Sequence, residues 1–131
     1  MSFHSDTLKK SLDALKLSLD ALNANEGKVD EGTWYTLRSG VVQNFEAAYE
    51  LARKILERWV SINIATDSWK TRREFYELLE KRGIIEDSNL WLSFHAARNA
   101  SSHNYSENIA VAAADDAVKF YPAAIAVLEK L

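Results

Sequence analysis

Residues 34–59 read WYTLRSGVVQNFEAAYELARKILERW, and one apolar stripe runs the length of the segment. Trp34, Leu37, Val41, Phe45, Ala48, Ala52, Ile55 and Trp59 recur at steps of three and four, as on one face of an α-helix. Val42, Tyr49 and Leu56 widen the stripe. A stripe that broad belongs to a helix touching more than one neighbour, and some of it is available to a dimer. Helix is expected from about Thr33 to Ser61. Gly40 weakens it locally, which suggests a close helix crossing. Gln43, Glu46, Glu50, Arg53, Lys54 and Arg58 read mostly as a solvated face with i, i+4 pairs.

Before this helix, Leu8, Leu12, Leu15, Leu19 and Leu22 repeat at 4, 3, 4, 3, a narrow seam facing a partner helix. Ser5 or Asp6 can cap its start, and Asn23 to Gly27 end it in a turn running on to Gly32. After it, Ile62 to Ser68 reads as a connection, and Thr71 with Glu74 has the capping-box pattern. A third helix carries Phe75, Leu78 and Leu79 and stops at Gly83, with Ile84 and Ile85 docking the turn. Lys70, Arg72, Arg73, Lys81 and Arg82 form the most basic patch. A solvated surface offset by Glu74, Glu77 and Glu80 is the better reading of it, ahead of a contact to a phosphate backbone.

Asp87 or Ser88 caps a fourth helix that is expected to end near Ser102, and Ser106 caps the last. That helix opens with small residues from Ile109 to Ala114, and Pro122 predicts a kink between Val118 and Pro122. Five helical segments, short connections and no strand pattern predict an all-α, antiparallel up-down bundle with a four-helix core. At 131 residues the chain is read as a single domain, 1–131.

With no cysteine, disulfides, thiolate metal sites and cysteine nucleophiles are excluded. No apolar run approaches the roughly 20 residues of a membrane span, and no signal-peptide pattern opens the chain. Cytoplasmic residence is the default expectation. A net charge of −3 is unlike a surface that grips nucleic acid all over, so any such contact must be local, weak or shared with another subunit. Asp115 and Asp116 are adjacent on a helix and point about 100° apart, a poor start for a metal site.

The chemically richest stretch is Trp91 to Tyr105, WLSFHAARNASSHNY. Trp91, Phe94 and Ala97 supply an apolar face, and His95, Arg98, Asn99, Ser102, His103 and Tyr105 sit among them. Arg98 and Ser102 stack at i, i+4, whereas Arg98 and His103 are about 140° apart on an ideal helix. They converge only if the arginine reaches round, the helix ends near Ser102, or a symmetry mate completes the site. On chemistry alone, a solvated arginine and a polar histidine at a helix end weigh slightly more.

Arginine, four residues, then histidine, with Asn99 directly after the arginine, resembles the signature of the HEPN family. Val42 to Leu56 resembles the long second helix of that family's nucleotidyltransferase substrate-binding branch, and Arg82 to Ile85 with Trp91 fits its turn into the motif helix. The resemblance implies a HEPN-like bundle and assigns Arg98 and His103 to metal-independent cleavage of RNA, with no cofactor. A neutral imidazole can take the proton of a 2′-hydroxyl, and an arginine can hold the phosphate. It makes Asn99 a supporting hydrogen-bonder. His95 could contribute, although a satisfied structural histidine is the first reading, and Ser102 is a further supporting candidate.

Arginine, four residues, histidine, one residue, tyrosine resembles the extended motif of HEPN toxins paired with minimal nucleotidyltransferase antitoxins. It implies AMP transfer to Tyr105, blocking the site. The implied assembly is a homodimer, with the nucleotidyltransferase as partner in a hetero-oligomer and RNA or a nucleotide as ligand. Two other readings stay open. One is a non-catalytic nucleotide- or substrate-binding subunit of a small nucleotidyltransferase; the other is an interaction protein whose motif has lost activity. The chain has no Gly-rich phosphate loop and no Gly-Ser with paired aspartates, so it is not itself the transferase.

Overall fold

A computed structural model describes residues 3–64, 69–104 and 106–131, the side chains of residues 3 and 4 excepted. The helices are α1 (Phe3–Ala24), α2 (Glu31–Asn63), α3 (Arg72–Lys81), α4 (Ser88–His103) and α5 (Glu107–Lys130), and no strand occurs among the described residues. The chain is a helical bundle. Packing against α1, α4 and α5 makes α2 its spine, while α3 lies on α4.

Each helix begins where local chemistry directs it. Asp30 accepts from the Thr33 N–H at 2.8 Å, which starts α2 two residues before the expected Thr33. Thr71 and Glu74 close the capping box of α3, Asp87 rather than Ser88 caps α4, and Ser106 caps α5. Gly83 takes a φ of +73° just past α3, the left-handed turn that releases Ile84 and Ile85 into the core.

Three local expectations are corrected. Ser5 and Asp6 do not cap α1 but lie inside it, because helix already holds at Phe3. A Cβ added at Gly40 would meet nothing within 4 Å, so no helix crosses closely there. Beyond Ser61, α2 continues to Asn63, which shortens the expected connection, and its residues 65–68 lie outside the described ones. Pro122 lies on the exposed side of α5, which runs on through it to Lys130.

The core follows the apolar stripes. Leu8, Leu12 and Leu15 of α1 are buried, with Leu19 and Leu22 partly so. From α2 come Val41, Phe45, Ala48, Ala52, Ile55 and Leu56. Phe120 of α5 sits at the centre, its ring centroid 5.3–6.1 Å from those of Phe45, Tyr49, Trp91 and Phe94. Arg38 lies on the core side of α2 with its side chain only 9% exposed, 3.6 Å from Glu107 at the start of α5. Periodicity gave no sign of that buried charge.

Candidate functional site

The polar residues of α4 face α2 and α3. Cross-helix bonds fix the arrangement: Ser101 reaches Glu46, Arg98 reaches Glu50, and His95 reaches Tyr49, so α4 runs antiparallel to α2. On the other side of Tyr49, the phenol of Tyr76 in α3 hydrogen-bonds the Tyr49 phenol. Trp91 and Phe94 are buried, as their spacing requires, and this anchors the polar side of the same helix.

Arg98 is half-buried. Its Nη2 lies 3.5 Å from Glu50 and its Nη1 donates to Asn99 Oδ1 at 3.3 Å, while its buried Nε finds no partner among the described residues. Glu50 is held more firmly by Arg53, which donates to both carboxylate oxygens at 2.7 and 3.1 Å. Arg53 also donates to Glu57 at 2.8 Å, and Arg72 donates to the same Glu57 oxygen at 2.9 Å. Arg72 packs over the rings of Trp69 and Phe75. The result is an alternating chain, Arg98–Glu50–Arg53–Glu57–Arg72, whose side chains are 21–30% exposed. At that depth solvent screens the pairs less than at a free surface. Hydrogen bonding from Arg53 is the main reason the Glu50 carboxyl titrates below its usual range.

This corrects three expectations. The face of α2 keeps Gln43, Lys54 and Arg58 exposed and shows the expected i, i+4 pairing at Arg53–Glu57, but Glu46 and Glu50 are partly covered by Ser101 and Arg98 of α4. Arg72 likewise leaves the solvated basic patch and joins the ion-pair chain, and Arg98 is not a free surface arginine.

His95 sits between two partners. Its Nδ1 is 2.7 Å from the Tyr49 hydroxyl and its Nε2 is 3.2 Å from the Asn99 amide nitrogen. Burial, reinforced by Arg72, Arg53 and Arg98, holds its pKa below the usual histidine value, so it is neutral near pH 7. Burial also pushes the Tyr49 phenol up to about 12 and raises that of Tyr76 further.

Ser101 and Ser102 both donate to Glu46 Oε2, at 2.6 and 3.2 Å, and both contact the Arg98 carbonyl oxygen. His103 is the last residue of α4 and is exposed. Helix persists one residue beyond the expected end at Ser102, so its early termination does not bring His103 to Arg98. No hydrogen bond or ion pair joins the two among the described residues. Helical spacing instead stacks His95, Asn99 and His103 along one edge, at i, i+4 and i+8. Tyr105 lies outside the described residues.

Across residues 5–131 the sequence matches the family described as nucleotidyltransferase substrate binding protein like. The chain belongs to that family. It is similar to a protein of Haemophilus influenzae (strain ATCC 51907 / DSM 11121 / KW20 / Rd) named "Probable ribonuclease HepT", with 25% identity over 118 residues that cover 81% of each protein. Its fold is similar to the solved structure of HI0074, also from Haemophilus influenzae and described as a substrate binding domain of a nucleotidyltransferase. There the TM-score is 0.84 at 22% identity, covering 96% of this chain and 97% of that one.

In this family member, the motif residues stand outside a groove of about 470 Å³ that opens between α1, α2 and α5 over Trp34 and Arg38. Among the described residues no group of three or more His, Asp or Glu side chains could hold a metal ion, and no helix is long and apolar enough to cross a membrane. Reading the sequence missed Glu46, Tyr49, Glu50, Arg53, Glu57, Arg72 and Tyr76 as neighbours of the motif. A usable signal existed at Tyr49, a phenol in the middle of an apolar stripe that must find a hydrogen-bond partner once buried.

Proposed function

We propose that this chain is the HEPN component of a two-protein system with a minimal nucleotidyltransferase, and that it is a metal-independent endoribonuclease toxin. The observation carrying this reading is a half-buried Arg98 whose guanidinium faces are held by Glu50 and Asn99, beside an exposed His103 at the end of the same helix. RNA phosphate can draw Arg98 away without stranding Glu50, which keeps both bonds from Arg53. The name of the Haemophilus relative supports the same chemistry.

In the proposed reaction, His103 takes the proton of a 2′-hydroxyl, and that oxygen attacks the adjacent phosphorus. The bond from phosphorus to the 5′-oxygen breaks, leaving a 2′,3′-cyclic phosphate and a 5′-oxygen that is protonated from solvent. Arg98 neutralises charge on the phosphoryl oxygens. Arg98 and His103 lie on different sides of α4, so a homodimer brings the arginine of one protomer to the histidine of its partner. Control comes from the nucleotidyltransferase: the Tyr105 phenol oxygen attacks the α-phosphorus of ATP, pyrophosphate leaves, and the phenolic proton passes to solvent.

A second reading is a non-catalytic nucleotide- or substrate-binding subunit. The ion pair between Arg98 and Glu50 favours it, since it occupies the arginine, and the family description points the same way. Induction of the chain alone, beside Arg98→Ala and His103→Ala, separates the two. The toxin reading expects growth arrest and RNA cleavage from the wild type only, with helicity and dimer mass unchanged in the variants. Normal growth and intact RNA with all three support the binding subunit. Mass increments of AMP on incubation with partner and ATP, absent in Tyr105→Phe, test the acceptor.

A further inference from the structure

Asn99 can present either its oxygen or its nitrogen to a neighbour, and the surrounding atoms choose. Arg98 Nη1 is a donor and lies 3.3 Å from Asn99 Oδ1, so the carbonyl oxygen must face it. The amide nitrogen then faces His95 Nε2 at 3.2 Å, and that ring nitrogen must accept. In a neutral imidazole the proton is therefore on Nδ1, which donates to the Tyr49 hydroxyl at 2.7 Å. Tyr49 passes its own hydroxyl proton toward Tyr76. One direction of donation runs from Asn99 through His95 and Tyr49 to Tyr76, and its outer end is the oxygen that holds Arg98.

We propose that His95, fixed by Tyr49, is the positioning residue that sets the Asn99 amide and thereby aims Arg98 at its substrate phosphate. The proposal rests on the ribonuclease reading for its substrate, but the orientation it describes belongs to the chain itself. His95 does not touch RNA; it acts through Asn99. Charge at His95 reverses only the link to Asn99, because Nδ1 keeps its hydrogen and still donates to Tyr49. An imidazolium carries hydrogen on Nε2, so Asn99 turns its oxygen inward and its NH2 meets the Arg98 guanidinium, donor against donor.

The groups facing His95 hold it neutral. Arg53 of α2, Arg72 of α3 and Arg98 of its own helix oppose protonation, as burial does, with Glu50 of α2 opposing them in turn. The phenols of Tyr49 and Tyr76, both raised by burial, stay protonated and available as donors.

Long-range nitrogen–proton spectra of the imidazoles, recorded on the full chain at neutral pH, test the tautomer directly. His95 is expected with hydrogen on Nδ1 and a bare Nε2. In Tyr49→Phe, the His95 tautomers are expected to mix and the Arg98 Nε–H resonance to move or broaden. RNA cleavage by that variant should fall roughly 10- to 100-fold in kcat/KM at unchanged helicity, as misplacement of a reacting group by about 1 Å can cause. Acid titration of the wild-type His95 ring should move the Arg98 resonance with the same midpoint. The opposite tautomer in the wild type, or an Arg98 signal and cleavage rate indifferent to Tyr49→Phe, overturns the proposal. If the wild type cuts no RNA, the ribonuclease reading fails while the two spectra still decide this one. Should Tyr49→Phe not fold, His95→Ala, at a partly buried position, carries the same expectations for Arg98 and for cleavage.

Discussion

Ser101 Oγ donates to Glu46 Oε2 at 2.6 Å, a bond between α4 and α2 that spans 55 residues of sequence. The hydroxyl is buried, and Ser102 adds a second contact to the same oxygen at 3.2 Å. Together they pin the last turn of the motif helix to the spine of the bundle.

Removing Glu46 tests that link. Glu46→Ala leaves Ser101 with only the carbonyl oxygen of Arg98 in its own helix. A loss of about 1–3 kcal/mol is expected for a bond from a buried hydroxyl to a charged acceptor. Urea unfolding measures it, and an unchanged midpoint would show that the pairing is incidental.

Arg98→Lys separates charge from shape. The guanidinium reaches Glu50 with one nitrogen and Asn99 with another, a fork that a single ammonium does not reproduce. On the proposed ribonuclease reading, loss of RNA cleavage on the order of 10²-fold is expected, comparable to removing one preorganised donor to a developing charge. Full activity in the lysine variant would rule out bidentate phosphate holding.

Acid stability should fall in two steps. The folded His95 is harder to protonate than the unfolded, so its contribution is complete above about pH 6.5 and is lost as pH falls through the lower folded value. Glu50 has the same sign at lower pH: its contribution is present above its ordinary value near 4.5 and vanishes on acidification. Urea midpoints against pH should lose the upper step in His95→Gln and the lower step in Glu50→Gln. Identical profiles in all three proteins would contradict the assignment.

Alkali acts through the phenols. Tyr49 and Tyr76 are raised in the folded chain, so their contribution is full below about pH 10 and is lost as pH rises through the folded values. The double variant Tyr49→Phe/Tyr76→Phe, which leaves neither hydroxyl orphaned on the other, should flatten the alkaline limb of the same curve.

Two backbone and packing substitutions have opposite expected signs. Gly40→Ala should stabilise by up to about 1 kcal/mol, since the added methyl is unobstructed and Ala is the better helix former. Phe120→Ala, at the centre of four other aromatic rings, should destabilise by about 3–5 kcal/mol. Thermal or urea unfolding reads both, and a destabilising Gly40→Ala would contradict the open space at that position.

The helices were legible because their causes are local. Leucine spacing at 8–22, the aromatic and aliphatic stripe at 34–59, the Thr71–Glu74 box and Gly83 act within a turn or two of themselves, so their reading transfers directly to the fold. Arg98, Asn99 and His103 were legible as a motif, and Trp91 and Phe94 as its buried side.

What surrounds the motif was decided by the tertiary structure. Hydrophobic periodicity reports which face of a helix is apolar, but not which neighbour will cover the edge of its polar face. Glu46 and Glu50 look solvated until α4 partly covers them, and Arg72 looks solvated until α3 brings it to Glu57. Arg38 is buried because the start of α5 arrives beside it. The tautomer of His95 depends on Tyr49, 46 residues away, and on the fork of Arg98 that turns the Asn99 amide. The helices and the motif follow from spacing along the chain; which of the motif's side chains are held, and in what direction, follows from packing between helices distant in sequence.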